Sequence, residues 1–328
     1  MKIIEPSVFL VGGNVGLMDR ARHVEKCGRV CYKSEKKITE NSAEKFIAGI
    51  IKSKHEAVLE HARITLHLNN YLEVYRLIAN VVQDMENHGI IPYMTLTNFD
   101  GEMIVSGNIR AWRNLCFTMR NKGYSFPSVI KRMWMENAPF FPEFFNPDEP
   151  YIKDPITDIN PQPDMPTFAE SPDLRLRHSW YTFRVVCDRG VSHEIVRHRP
   201  MSFCQESTRY CNYKKGQFGS EITVIKPCFW EEGSEAYELW KETCGVAETA
   251  YLELIESGKS AQEARSVLPN SLKMEIVMTA TADEWLHFIN LRSRGTTGAP
   301  HPQMLEVATQ IEKILLEEDA EVFGNAEG

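Results

Sequence analysis

The chain has 328 residues, 43% of them hydrophobic and 25% charged, with a formal net charge of -8. That is a globular composition, long enough for one large domain or two, and too acidic to coat nucleic acid through an overall positive field. No apolar run spans a bilayer, no signal-peptide layout opens the chain, and the 8 cysteines show neither C-x-x-C nor zinc spacing, so a cytoplasmic protein without a structural metal is expected.

The opening KIIEPSVFLVGG predicts a strand running into a glycine turn. GGNVG at Gly12 is neither G-x-G-x-x-G nor a P-loop, and a plain turn is expected there. Phe46, Ile47, Ile50 and Ile51 recur at helical spacing. In KHEAVLEHARITLHL, a turn bearing His55, Glu60 and His61 leads into an alternating strand over 64–68. Helices are expected over 71–88 and 108–120. After Asn137, the run APFFPEFFNPDEPYIKDPITDINPQPDMPTF holds too much proline for a helix or central strand and reads as an irregular surface wrap.

SWYTFRVVCDRG is an alternating strand ending in a turn. VSHEIVRHR reads as a short helix stopped by Pro200, with His193 and Arg197 one turn apart on one face. MSFCQESTRY lacks both periodicities and is expected to be a loop. The remainder reads as mostly helical. A long helix over 235–257 stops at Gly258, and SAQE at Ser260 and TADE at Thr281 have the form of capping boxes. The second box starts a helix that places Asn290, Arg292 and Arg294 at its C-terminus, and a last helix covers 302–318. No internal repeat is apparent.

RHRPMSFCQESTRYCNY, beginning at Arg197, is a basic knot in an acidic chain. Guanidinium groups bind phosphate in bidentate fashion, hydroxyls and backbone donors complete such sites, and the Gln205 amide suits a pyrimidine edge. The contrary reading is a surface network pairing Arg197, Arg199 and Arg209 with Glu194, Glu206 and Asp188.

Arg197-His198-Arg199, seven residues and then Ser207 resembles the R-H-R-x7-S signature of the flavin-dependent thymidylate synthases. The resemblance extends to Arg209 and Tyr210, HEAVLEH from His55, YLELIESG with EARSVLP up to Pro269, and FINLR from Phe288. It implies methylation of dUMP to dTMP with methylenetetrahydrofolate as carbon donor, FAD as cofactor and NADPH as reductant, in a homotetramer with shared active sites. It further implies that Arg197, Gln205, Ser207, Arg209, Arg265 and Arg292 line the dUMP site and that His55, His198 and Arg199 hold the flavin. Ser207 and Arg292 would act directly on substrate, Arg292 by polarising the pyrimidine.

Ala57, Gln205, Thr281 and His287 depart from the family pattern. Asn108 and Arg110, in SGNIRAWRNL, are candidates to supply flavin or subunit contacts missing at Thr281 and His287. The resemblance implies an α+β fold, an antiparallel sheet packed with a helical core formed by 1–68 and 181–328, with 69–180 as a large insertion. Two rivals remain. Cys204, beside an arginine cluster, could serve cysteine-dependent thymidylate synthesis, and Arg with Tyr residues could serve a non-catalytic binder of single-stranded nucleic acid.

Overall fold

The computed structural model describes residues 1–13, 19–68, 71–99, 102–144, 151–152, 171–215 and 218–324. Most of the Gly12 turn and much of the proline-rich run lie outside the described residues. The chain divides into two compact units. One comprises Met1–Gly13, Cys27–Lys36 and Trp180–Gly328, the other Asn14–Lys26 and Lys37–Ser179. Residues 37–68 therefore group with 69–179, while 181–328 falls wholly in the first unit.

The first unit is built on a four-stranded antiparallel sheet in the order Ser7–Gly13, Trp180–Asp188, Lys273–Thr281, Ser202–Gln205. Ser7–Gly13, from before the expected insertion, thus pairs with Trp180–Asp188 after it, whereas Arg63–His67, the strand that ends beside the insertion, pairs with Glu102–Asn108 inside it. The two central strands are buried along nearly their whole length. A mostly helical reading misses Lys273–Thr281 although KMEIVMTAT alternates, with Met274, Ile276, Met278 and Ala280 on one face and Lys273, Glu275, Val277, Thr279 and Thr281 on the other. Ser202–Gln205 is likewise a strand and not the start of a loop, because four residues are too few to show a period. Helix Glu235–Glu256 ends before Gly258, whose φ of 88° suits glycine. The Ser260–Glu263 capping box forms, whereas Thr281 caps helix Ala282–Arg292 without a side-chain bond.

The second unit holds a three-stranded antiparallel sheet ordered Arg63–His67, Glu102–Asn108, Met94–Phe99. Helices Leu72–Asn87, Ile109–Asn121 and Ser128–Glu136 accompany it. The proline-rich run is not all surface wrap. Pro142 opens a 3-10 turn, and Phe140, Phe141 and Phe144 are buried, with Phe144 stacked on Trp134 at 4.9 Å. Burying three phenylalanines outweighs the missing ladder bonds of the proline backbone.

The two units repeat one plan that the sequence hides. In each, a strand, a helix and a second strand precede a central strand and a second helix, with the central strand between the other two; in the first unit Thr223–Ile225, Glu235–Glu256 and Ala261–Ala264 intervene and Ser7–Gly13 adds a fourth strand. Asn108 and Thr281, the last residues of the central strands, are the N-caps of the second helices. Four residues on, Trp112 Nε1 donates to Ile64 O at 2.9 Å and Trp285 Nε1 to Tyr181 O at 3.0 Å. Ile64 is paired with Gly107 and Tyr181 with Ala280, the residues just before each cap. Thr65 opposite Ser106 matches Thr182 opposite Thr279, and buried His61 and His178 precede the first strands by two residues. The likeness is one of topology and of a few register positions, and no repeat is apparent in the sequence itself.

Candidate active site

Helix Arg189–Ile195 is started by Asp188, whose Oδ1 accepts from Val191 N at 2.8 Å. Its C-cap is Val196, so Arg197 lies beyond the helix and the expected shared face with His193 is not built. Arg197 N and His198 N instead continue in turn bonds to Glu194 O and Ile195 O at 3.2 and 3.1 Å. These turns point His198 into the protein and leave Arg197 and Arg199 exposed.

The surface ion-pair network is also not built, because each carboxylate is engaged elsewhere. Glu194 pairs with Arg292 at 3.2 Å, Glu206 with Lys273 at 2.8 Å, and Asp188 caps its helix. Among the described residues, Arg197, Arg199, Arg209 and Arg265 have no carboxylate partner. Four such cations in a chain of net charge -8 are of a chemistry suited to an anion.

They stand at the two ends of strand Ser202–Gln205, about 13 Å long at 3.3 Å per residue. At the first end, a cavity of about 590 Å³ is lined by Arg197, His198, Arg199, His287 and Arg292, by the carboxylates Asp283 and Glu284, and by Pro200 and Leu291. Arg292 Nε donates to His198 Nε2 at 3.0 Å, while its Nη1 meets Glu194. Burial, together with the charge of Arg292 and the proximity of His287, lowers the His198 pKa to about 4. His198 is therefore a neutral acceptor at Nε2. Arg292 Nη2 has no hydrogen bond among the described residues, so it presents a fixed N–H edge to the cavity.

At the second end the loop proper begins at Glu206. Glu206 N donates to Glu275 O at 2.8 Å and Ser207 N to Cys31 O at 3.0 Å, and the chain turns so that Tyr210 N and Cys211 N donate to Ser207 O. Arg265 Nη1 reaches Thr208 Oγ1 at 3.4 Å, and the Arg209 guanidinium lies 5.4 Å from the Tyr210 ring. Below the loop, Lys273 bridges Glu206 and Glu275 at 2.8 and 3.0 Å, and Lys33 also pairs with Glu275. These two lysines, against the burial that opposes them, hold the Glu275 carboxyl at about 2. Nothing in the local spacing of the sequence marks this cluster; the sheet register assembles it.

Cys204 is 3% exposed and its side chain hydrogen-bonds to the Cys31 thiol, lowering the Cys31 pKa. A buried thiol on a central-sheet edge is not presented to a substrate, which disfavours the cysteine-dependent rival. Gln205 Nε2 donates to Ser192 Oγ at 2.9 Å, a partner the sequence reading did not single out. His55 opens the 3-10 helix Glu56–His61 in the second unit, and its side chain is exposed. In that unit Asn108 Oδ1 accepts from Ala111 N at 2.8 Å, and Arg110 pairs with Glu60 at 2.7 Å. The sequence-selected residues thus divide into Arg197, His198, Arg199 and Arg292 around one cavity, Gln205, Ser207, Arg209 and Arg265 along the strand and loop beside it, and His55 in the other unit.

The first unit is thus an α+β arrangement whose edge strand runs between two groups of arginines, four of which have no carboxylate partner among the described residues. The family model of thymidylate synthase complementing protein matches residues 15–72 and 173–319, and the chain belongs to that family. The matched segments leave 73–172 unmatched. Among curated relatives, the chain is 34% identical to the flavin-dependent thymidylate synthase of Pyrococcus furiosus over 118 residues, 36% of this chain and 48% of that one. It is 30% identical to that of Corynebacterium aurimucosum over 167 residues, 46% of this chain and 64% of that one. The chain spans about half the length of the first of these relatives. A solved structure of a UMP/dUMP methylase from Streptomyces cacaoi, bound with 5-Br dUMP, aligns over 43% of this chain and 68% of that chain at 24% identity and a TM-score of 0.37.

Proposed function

We propose that this protein methylates dUMP to dTMP, with methylenetetrahydrofolate as carbon donor, FAD as cofactor and NADPH as reductant. The observation that carries the reading is the set of four arginines, without carboxylate partners among the described residues, at the two ends of one strand. A nucleoside monophosphate suits that layout, with its phosphate near Ser207, Arg209 and Arg265 and its base toward Gln205 and Arg292, and with Arg197 close by. Membership of the family and the names of the matched relatives support the same activity.

The cavity fits a flavin in size and chemistry. About 590 Å³ lies within the range of small-molecule pockets, and cationic groups beside Pro200 and Leu291 suit a phosphate-bearing aromatic ring system. His198 and Arg199 would hold FAD there, with His55 a further contact and Asn108 and Arg110 candidates to replace those missing at Thr281 and His287. When bound, FAD supplies the hydride. The protein's own contribution is electrostatic. Glu194 and neutral His198 fix the Arg292 guanidinium, and its remaining N–H edge stabilises charge that builds on a pyrimidine carbonyl. Ser207 would bind substrate; among the described residues it has no side-chain base hydrogen-bonded to it that would make it a nucleophile. Active sites shared within a homotetramer complete the proposal.

The test is dTMP formation from dUMP, methylenetetrahydrofolate and NADPH, with and without added FAD. Turnover that depends on FAD, and a flavin absorbance bleached by NADPH in the presence of dUMP, are expected. A protein that binds no flavin and forms no dTMP would refute the reading.

A further inference from the structure

We propose that Ser192 fixes the orientation of the Gln205 amide and thereby makes the site select uracil over cytosine. The inference rests on the dUMP reading above and names a specificity device within it. Ser192 is fully buried in helix Arg189–Ile195, and its Oγ donates to Arg189 O at 2.9 Å. A hydroxyl has one proton, and a carbonyl can only accept, so that proton is committed. What Ser192 offers Gln205 at 2.9 Å is therefore a lone pair, and only the NH2 end of the amide can meet it.

The reversed amide would press Oε1 against the same lone pair. Two acceptors at hydrogen-bond distance beside a buried group are costly, so the orientation is set by chemistry and not by solvent. Gln205 Oε1 consequently faces away from Ser192, and it has no hydrogen bond among the described residues. The residue is half-buried on the strand that leads to Ser207 and Arg209. An outward carbonyl matches the N3–H donor of uracil. Cytosine presents an unprotonated N3 at the same place, so two acceptors would meet, whereas a flipped amide would pair with cytosine equally well. Because an amide does not titrate, the protein's side of this selection does not change with pH.

The experiment measures binding of dUMP and of dCMP to the flavin-loaded protein by calorimetry, in the wild type, Ser192→Ala and Gln205→Glu. Wild type is expected to prefer dUMP. Ser192→Ala frees the amide to turn over and should narrow the dUMP-to-dCMP affinity ratio about tenfold or more, chiefly by improving dCMP. Gln205→Glu removes the same N–H···O bond yet offers acceptors only, so it should retain the preference; a merely structural role for the bond would lose it. If Ser192→Ala does not fold, Gln205→Leu stands in, and there the ratio should collapse. An unchanged ratio in Ser192→Ala, or a collapsed one in Gln205→Glu, overturns the proposal alone. A wild type that binds neither nucleotide overturns the dUMP reading itself.

Discussion

Replacing Lys273 by methionine tests how the loop that carries Ser207 is held. Glu206 is 2% exposed, and among the described residues Lys273 is its ion-pair partner, at 2.8 Å. Methionine keeps the length of the side chain but strands a buried carboxylate, whereas Glu275 retains Lys33. Breaking a buried pair by removing one partner costs about 3–5 kcal/mol. A unit of this size loses about 2–4 °C per kcal/mol, so the melting temperature of the first unit should fall by about 10 °C. Scanning calorimetry reads the shift. The double variant Lys273→Met/Glu206→Gln, which removes the stranded charge, should recover most of it. A fall of under about 3 °C, or a double variant no more stable than the single one, would show that the pair does not secure the loop.

Arg292→Ala should lower kcat/KM for dUMP by about a hundredfold or more, since it removes the prearranged donor edge; an activity within a few-fold of wild type would sink that assignment. Arg110→Ala should weaken flavin binding in a fluorescence titration if Arg110 reaches the cofactor, and wild-type affinity would return that residue to its pairing with Glu60. Buried His23, His178 and His198 all have pKa values lowered to about 4, first by desolvation. The unfolded chain takes up their protons near pH 6.5, so stability is fully present above that pH and declines as pH falls toward 4. Proton uptake on unfolding at pH 5, measured by calorimetry in buffers of different ionisation enthalpy, checks this; none would contradict it. Trp112→Phe and Trp285→Phe each delete one buried indole bond to a strand carbonyl and should each cost about 1–2 kcal/mol, with unequal costs telling against their equivalence.

Much of the helical framework was legible because caps and stops are local. Ser260 with Glu263, Asn108 and Gly258 act within a few residues of themselves, so their spacing survives in the sequence. The arginines were legible for a different reason: a fixed seven-residue gap to Ser207 is the length of a turn plus a short strand. Strand Lys273–Thr281 was not, although its apolar residues alternate, because helical signals on both sides set the reading. The buried Phe140, Phe141 and Phe144 were not either, because proline predicts backbone irregularity and says nothing about where the rings go. Least legible were the partners of the site. Glu194 with Arg292, Ser192 with Gln205 and Lys273 with Glu206 are joined by sheet register and helix packing, and no local spacing marks any of these pairs.

The recurrence of one plan in both units has a consequence for how substitutions are tolerated. By sheet register, the turn at Ile90, Ile91 and Pro92 occupies the place that Arg197, His198 and Arg199 occupy in the other copy, and Met119 falls where Arg292 stands. Both copies keep the tryptophan bond and the cap, which serve the scaffold. The charged positions persist in one copy alone. A scaffold present twice gives the chain redundancy in architecture without redundancy in chemistry: the turn at 90–92 is open to drift, while the same turn at 197–199 has no spare.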